Sequence, residues 1–170
     1  MLSQRLLDTL NQQIKHELYA AHLYMSMAAY CASEDLDGCA HFFLTQAEEE
    51  RFHAMKFFNF INDKDGKIIF DALENPHASY DSVLHVFQEA LKHEKIVTSK
   101  IYNLMDIATE EKEYATISFL NWFVDEQVEE ESTFSALIQK FKAAVNDESM
   151  LLMLDMELAK RVFTPPATEA

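Results

Sequence analysis

The sequence predicts an all-α protein, an up-down-down-up four-helix bundle with one long crossover and a short C-terminal fifth helix. Three observations carry this. Only two glycines and three prolines stand among the 170 residues, too few for a β fold with its closely spaced turns. Four long stretches run almost free of both, each about 40 Å long at the helical rise. Within each stretch, core-type residues recur at alternating steps of four and three, the period of a bundle helix.

The elements follow in order. Ser3 offers an N-cap to a first helix that reaches about Ser33. "SEDLDG" breaks it, and a second helix runs from about Asp37 to Asn62. "NDKDGK" closes that helix with Gly66 as the expected stop. "IIFDALENPHASYDS" holds Pro76 and no helical period, so it reads as a long connector. A third helix begins near Ser79 or Asp81 and reaches about Ala108. A fourth runs from about Thr109 or Glu110 to Val145, with a kink or break near its start. "VNDES" punctuates, and a fifth helix covers about Glu148 to Arg161. The chain therefore reads as a single domain over 1–170, with the bundle about 3–145, the fifth helix about 147–161 and a frayed tail at 164–170. Short links make the first and second helices antiparallel neighbours, and likewise the third and fourth. The long connector can cross the whole bundle.

Bulk properties exclude several classes. A net charge of −15 repels a phosphate backbone, so no nucleic-acid partner is expected. It favours solubility and attracts cations. Cys31 and Cys39 are the only cysteines, too few for a disulfide framework or a zinc cluster, and they point to a reducing, cytoplasmic setting. The opening "MLSQRLLDTLNQQ" lacks the apolar core of a secretion signal. No apolar run approaches the ~18 residues of a membrane span, so no membrane partner is expected.

The inward stripes carry the chemistry. The first helix reads Leu6, Leu10, Gln13, Glu17, Ala20, Tyr24, Met27, Cys31, and the second Phe43, Ala47, Glu50, Ala54, Phe57, Ile61. The third reads Val83, Phe87, Ala90, Glu94, Val97, Ile101, Leu104, Ala108. The fourth reads Thr116, Leu120, Phe123, Gln127, Glu130, Phe134, Leu137, Phe141. Each is broken near its middle by an acid: Glu17, Glu50, Glu94, and Glu130 with Gln127 beside it. In an antiparallel bundle these positions meet at one height. An isolated buried carboxylate costs several kcal/mol even after relaxation, and like charges add to it. Protons could remove part of the charge, and no lysine or arginine lies on the stripes, so bound metal is the remaining counter-charge. His53 follows Glu50 by three and shares its side of the helix. Carboxylates with one imidazole suit iron or manganese better than structural zinc, and four carboxylates suit two bridged ions.

At these residues the chain resembles the ferritins, most closely the bacterial haem-free type. The resemblance spans nearly the whole chain and rests on Glu17 with Tyr24 seven later, "EEERFH" with Glu50 and His53, "KHE" ending at Glu94, and "NWFVDEQVEEE" with Gln127 and Glu130. It implies a ferritin-like four-helix bundle, an iron-storage function and ferroxidase activity, with O2 or H2O2 as oxidant. It implies that Glu17, Glu50 and His53 hold a first iron, that Glu50 bridges, and that Glu94 and Glu130 hold a second. Gln127 would hydrogen-bond near that second ion, and Tyr24 would act as a redox or hydrogen-bonding residue, or else serve as a core aromatic. Glu49, Glu126 and Glu129, with Glu130, would form a third iron site or remain exposed acids on a cavity-facing surface. Haem is not implied, because Arg51 stands where haem-binding relatives carry a methionine. The resemblance also implies a hollow homo-oligomeric cage of about 24 subunits. The "MLLML" run of the fifth helix is apolar on every side and would be buried either at the cage's four-fold axes or against its own bundle. His16, His22, His41, His77, His85 and His93 fall off the stripes and read as surface or interface residues. Cys31 reads as a core thiol.

Overall fold

The structure, a computed structural model, describes residues 1–166. Five helices follow in order: α1 (Gln4–Ser33), α2 (Asp37–Asp63), α3 (Val83–Glu110), α4 (Tyr114–Ala144) and α5 (Glu148–Leu158). No strand occurs among the described residues, and no helix there is long and apolar enough to cross a membrane. The tail expected to fray at 164–170 lies largely outside the described residues.

Ser3 caps α1 as expected, its hydroxyl accepting from the Leu6 amide at 3.0 Å. The stops differ from expectation. Gly66 is not in the left-handed region; Asp65 is, at φ 54°, and Asp35 and Lys112 match it at 57° and 55°. Behind each, the next amide reaches five residues back: Leu36 to Cys31, Gly66 to Ile61 and Glu113 to Ala108. This closure satisfies carbonyls that the last helical turn leaves open.

Three expected boundaries move for similar local reasons. The third helix starts at Val83, not near Ser79 or Asp81, because the Ser82 hydroxyl caps it through the His85 amide at 3.1 Å. The fourth starts at Tyr114, since Lys112 reverses the chain after Glu110. The fifth ends at Leu158, short of Arg161.

The connector 64–82 is extended and runs alongside α1. Asn11 grips it twice, donating to the Lys67 carbonyl at 3.0 Å and accepting from the Ile69 amide at 2.8 Å. Further along, Lys15 meets Glu74 at 2.7 Å and Ser26 donates to the His77 carbonyl at 2.8 Å. The connector thus travels in the direction of α1, and α3 begins at the end where α1 stops. Helices α2 and α3 are therefore parallel, and the order is up-down-down-up.

The apolar core falls into two clusters. One gathers Tyr24, Met27, Phe42, Phe43, Phe87, Phe134 and Phe141; the other gathers Leu6, Leu10, Phe57, Ile61, Leu104, Leu120 and Phe123. Rings fill both, with Phe87 and Phe141 centroids 4.4 Å apart and Phe57 and Phe123 4.3 Å apart. Between the clusters lies the level of Glu17, Glu50, Glu94 and Glu130.

Helix α5 packs against α2 and α4. Leu36 gives α2 no side-chain cap, and α5 supplies one from a distance. The buried Asp155 carboxylate accepts from the Gly38 amide at 3.0 Å and the Cys39 amide at 2.7 Å. A carboxylate there satisfies two open donors and faces the positive end of the helix dipole. Gly38 is needed for this approach, because an added Cβ would lie 1.8 Å from the Asp155 carbonyl oxygen. The apolar helix is buried on this side only: Leu152, Met153 and Met156 remain 60–70% exposed in the single chain.

Gly38→Ala should therefore unseat α5 and lower stability by about 1–3 kcal/mol. Thermal unfolding and amide exchange across α5 check this, and an unchanged melting temperature would remove Asp155 from its capping role.

Candidate metal centre

Four helices each bring an acid to the middle of the bundle. Glu17 comes from α1, Glu50 and His53 from α2, Glu94 from α3, and Gln127 and Glu130 from α4; all six are at most 4% exposed. The apolar clusters above and below leave these polar side chains no direction but toward one another. Ligand atoms of Glu17, Glu50 and His53 lie within 4.8 Å of one another, near enough to share one ion. His53 Nδ1 stands 3.4 Å from Glu50 Oε2, the outcome of their three-residue spacing. Its ring is held edge-on by Trp122 and Phe123, with centroids 5.4 and 5.8 Å away.

The remaining acids are held by neutral donors. Tyr24 donates its hydroxyl to Glu94 Oε1. Gln127 donates to Glu94 Oε2 at 3.0 Å. Gln13 donates to Glu17 Oε1 at 2.8 Å and Gln46 to Glu130 Oε2 at 3.0 Å. Gln46 escaped the sequence reading because it lies one step off the stripe. Its signal was its place one turn before Glu50 on a buried face.

Charge is poorly compensated in this layer. No lysine or arginine is buried among the described residues. Burial, and then the neighbouring Glu50, push Glu17 well above the usual carboxylate range. Burial, then Glu94 and Glu130, do the same to Glu50. Glu94 is raised by burial, although Tyr24 and Gln127 work against it. Glu130 is raised to about 8 by burial and the nearby Glu94 and Glu49. Glu17 Oε2, Gln46 Oε1 and His53 Nε2 are among the buried polar atoms that have no partner. Buried polar atoms are normally satisfied, and an orphaned Glu17 oxygen near His53 Nδ1 and three further carboxylates is what a divalent cation would complete. The donor set is oxygen-rich with one imidazole, which fits iron.

A second group borders the first. Ligand atoms of Glu49, His53 and Glu126 also lie within 4.8 Å of one another, so His53 belongs to both groups. They line a recess of about 390 Å³ with Glu129 and the segment after α5. Glu129 lines this recess but stands outside the close group, and Glu130 points inward to Gln46. Burial raises Glu126, with Glu49 and Glu129 adding to it and His53 opposing. Arg161 reaches Glu49 at 2.8 Å, a contact between residues 112 positions apart that no local pattern announces.

Of the off-stripe histidines, His22, His41 and His77 are exposed, while His16, His85 and His93 are half-buried. His93 sits against Tyr19 and Tyr24, with ring centroids 5.8 and 6.3 Å away. Cys31 is a buried free thiol, as expected, and so is Cys39.

Comparison with known proteins gives a consistent answer. Residues 7–144 match the ferritin family, described as a ferritin-like domain. The chain is 48% identical over 163 residues to a bacterial non-heme ferritin of Staphylococcus aureus (strain USA300), covering 96% of this chain and 98% of that one. A bacterial non-heme ferritin of Staphylococcus epidermidis gives the same identity and coverage. Among solved structures, an engineered closed form of the Archaeoglobus fulgidus ferritin superposes with a TM-score of 0.95 at 40% identity, over 96% of this chain and all of that one. With the fold, the central acids and these relatives in agreement, this chain belongs to the ferritin family.

Proposed function

We propose that the protein stores iron, oxidising Fe(II) to Fe(III) at the centre of its own bundle and depositing ferric mineral inside a hollow homo-oligomer of about 24 subunits. The observation that carries this is the buried layer in which Glu17, Glu50 and His53 stand within sharing distance of one ion, with Glu94 and Glu130 at the same level. In this reading Glu17, Glu50 and His53 hold a first ferrous ion. Glu50 bridges to a second ion held by Glu94 and Glu130. Each Fe(II) gives up one electron, and O2 or H2O2 accepts the pair. Carboxylates favour the higher charge of the product, yet exchange fast enough to let it leave. The protein supplies geometry and field while iron carries the redox change.

The supporting residues take roles consistent with their contacts. Gln127 and Tyr24 both donate to Glu94, which orients that carboxylate toward the second ion. The Tyr24 phenol is itself raised by burial and by Glu94, so it stays a proton donor. Glu49, Glu126 and Glu129 would form a third, more accessible site, to which His53 lies close. Haem plays no part in this reading, since Arg51 is exposed where a haem ligand would be needed. The free, buried cysteines agree with a cytoplasmic setting. The exposed apolar face of α5 supports assembly, because Leu152, Met153 and Met156 gain cover only from other subunits.

Glu50→Ala should abolish fast Fe(II) oxidation in stopped-flow measurements while native mass stays that of the assembled particle; unchanged kinetics would overturn the site assignment. Removing residues 147–170 should shrink the particle measured by light scattering, and an unaltered size would remove α5 from assembly. Acidity gives a third test. Glu130, raised from 4.5 to about 8, binds its proton more tightly folded than unfolded. Its contribution is present below about 4.5 and is lost as pH rises through about 8. The melting temperature of the metal-free protein should therefore fall between about pH 5 and 9, and less so in Glu130→Gln, which cannot ionise. Divalent metal should remove the difference and release protons on binding. Parallel pH profiles for the two metal-free proteins would refute the assignment.

A further inference from the structure

The segment after α5 does not run off into solvent; it folds back over the acidic recess. Four contacts pin it there. The Arg161 backbone carbonyl accepts from His41 Nε2 at 2.8 Å. The Phe163 ring packs on Phe52 with centroids 5.6 Å apart. The Arg161 guanidinium stacks over Phe42, 4.9 Å from its centroid, and donates from Nη2 to Glu49 Oε2 at 2.8 Å. Both ends of that ion pair are mostly covered, with side-chain exposures of 27% for Arg161 and 12% for Glu49. Stacking aims the planar fork at one carboxylate, a task an ammonium would perform poorly.

The recess holds other calls for positive charge. Glu126 and Glu129 line it, and His53, 2% exposed, keeps Nε2 unpaired at its floor. A divalent ion held by Glu49, His53 and Glu126 must therefore share or break the Glu49–Arg161 pair.

We propose that Arg161 is a built-in competitor for the recess, a tethered cation that a metal ion must displace from Glu49 before it binds between Glu49, His53 and Glu126. This rests on the reading of the recess as a metal site and adds what sets its affinity. A monovalent, tethered charge holds the acids together when the recess is empty of metal, and it yields to a divalent ion at sufficient concentration. The two-ion centre within the bundle has no such competitor, because no arginine or lysine is buried there among the described residues. The same chain thereby ranks its sites: the centre fills first, and the recess fills only when free metal rises.

The test is calorimetric titration of the full-length, metal-free assembly with Zn2+, a redox-inert probe, resolving the ions bound per subunit. Arg161→Gln should tighten the third class about tenfold, the worth of one charge-assisted hydrogen bond, and leave the first two classes unchanged. Phe163→Ala, which loosens the segment but keeps the charge and its Phe42 stack, should tighten the third class far less than Arg161→Gln. In a Glu126→Ala background the third class should vanish, and Arg161→Gln should then have no effect. A third class that is present but unchanged or weakened in Arg161→Gln overturns the proposal and leaves the metal site standing. Equal tightening in Phe163→Ala also overturns it, since coverage and not charge would then control the recess. Absence of a third class in every protein, wild type included, overturns the metal reading of the recess and this proposal together.

Discussion

A carboxyl group removed from water is hard to keep ionised in a protein interior, and this bundle places four carboxyl groups at one level. The cost is several kcal/mol per charge, comparable with the net stability of a whole domain. Everything around the layer answers to that cost. Neutral donors, Gln13, Gln46, Gln127 and Tyr24, take up oxygens one by one. None neutralises charge, so burial and mutual repulsion raise all four carboxyls above the usual range. A lysine or arginine in that place would satisfy the acids permanently and leave nothing for a metal. The protein is thus built with an unfinished core, which a divalent cation would complete.

Much of this was legible from the sequence because the relevant pattern is local and periodic. An acid on a stripe of Leu, Phe and Ala is conspicuous, and four such breaks at matching height imply convergence without knowledge of any contact. The helix pairs and the long connector followed from the spacing of breakers. What stayed hidden was set by backbone detail or by distant contacts. Asp35, Asp65 and Lys112 adopt left-handed conformations that composition assigns first to glycine, so Gly66 drew attention that belonged to Asp65. Asp155 caps a helix more than a hundred residues earlier in the chain, and Arg161 meets Glu49 over a similar span. No periodicity encodes either pairing. Gln46 was missed because one step of rotation on a helix separates a stripe residue from its neighbour.

The role of α5 also changes once it is seen in place. Its apolar run suggested a helix buried all round, either in its own bundle or between subunits. It divides the two tasks between its sides. Leu154, Asp155 and Leu158 are buried on the bundle, while Leu152, Met153 and Met156 stay exposed in the single chain. Because Asp155 completes the first turn of α2, the bundle's own stability is linked to the position of the helix that carries this exposed apolar face. The segment that follows carries Arg161 to the recess, so one short stretch joins the core, an exposed apolar face and an acidic pocket.

The split core has a consequence for transport. Each end of the acidic layer is plugged by a tightly packed apolar cluster, one built around Phe43, Phe87 and Phe134, the other around Phe57, Leu104 and Phe123. A hydrated ion moving along the bundle axis would have to shed its water among phenylalanines and leucines, where no oxygen replaces it. A metal ion reaching the acidic layer would therefore pass between helices and not along them. His53, which belongs to the inner group and also lines the outer recess, stands where the two meet.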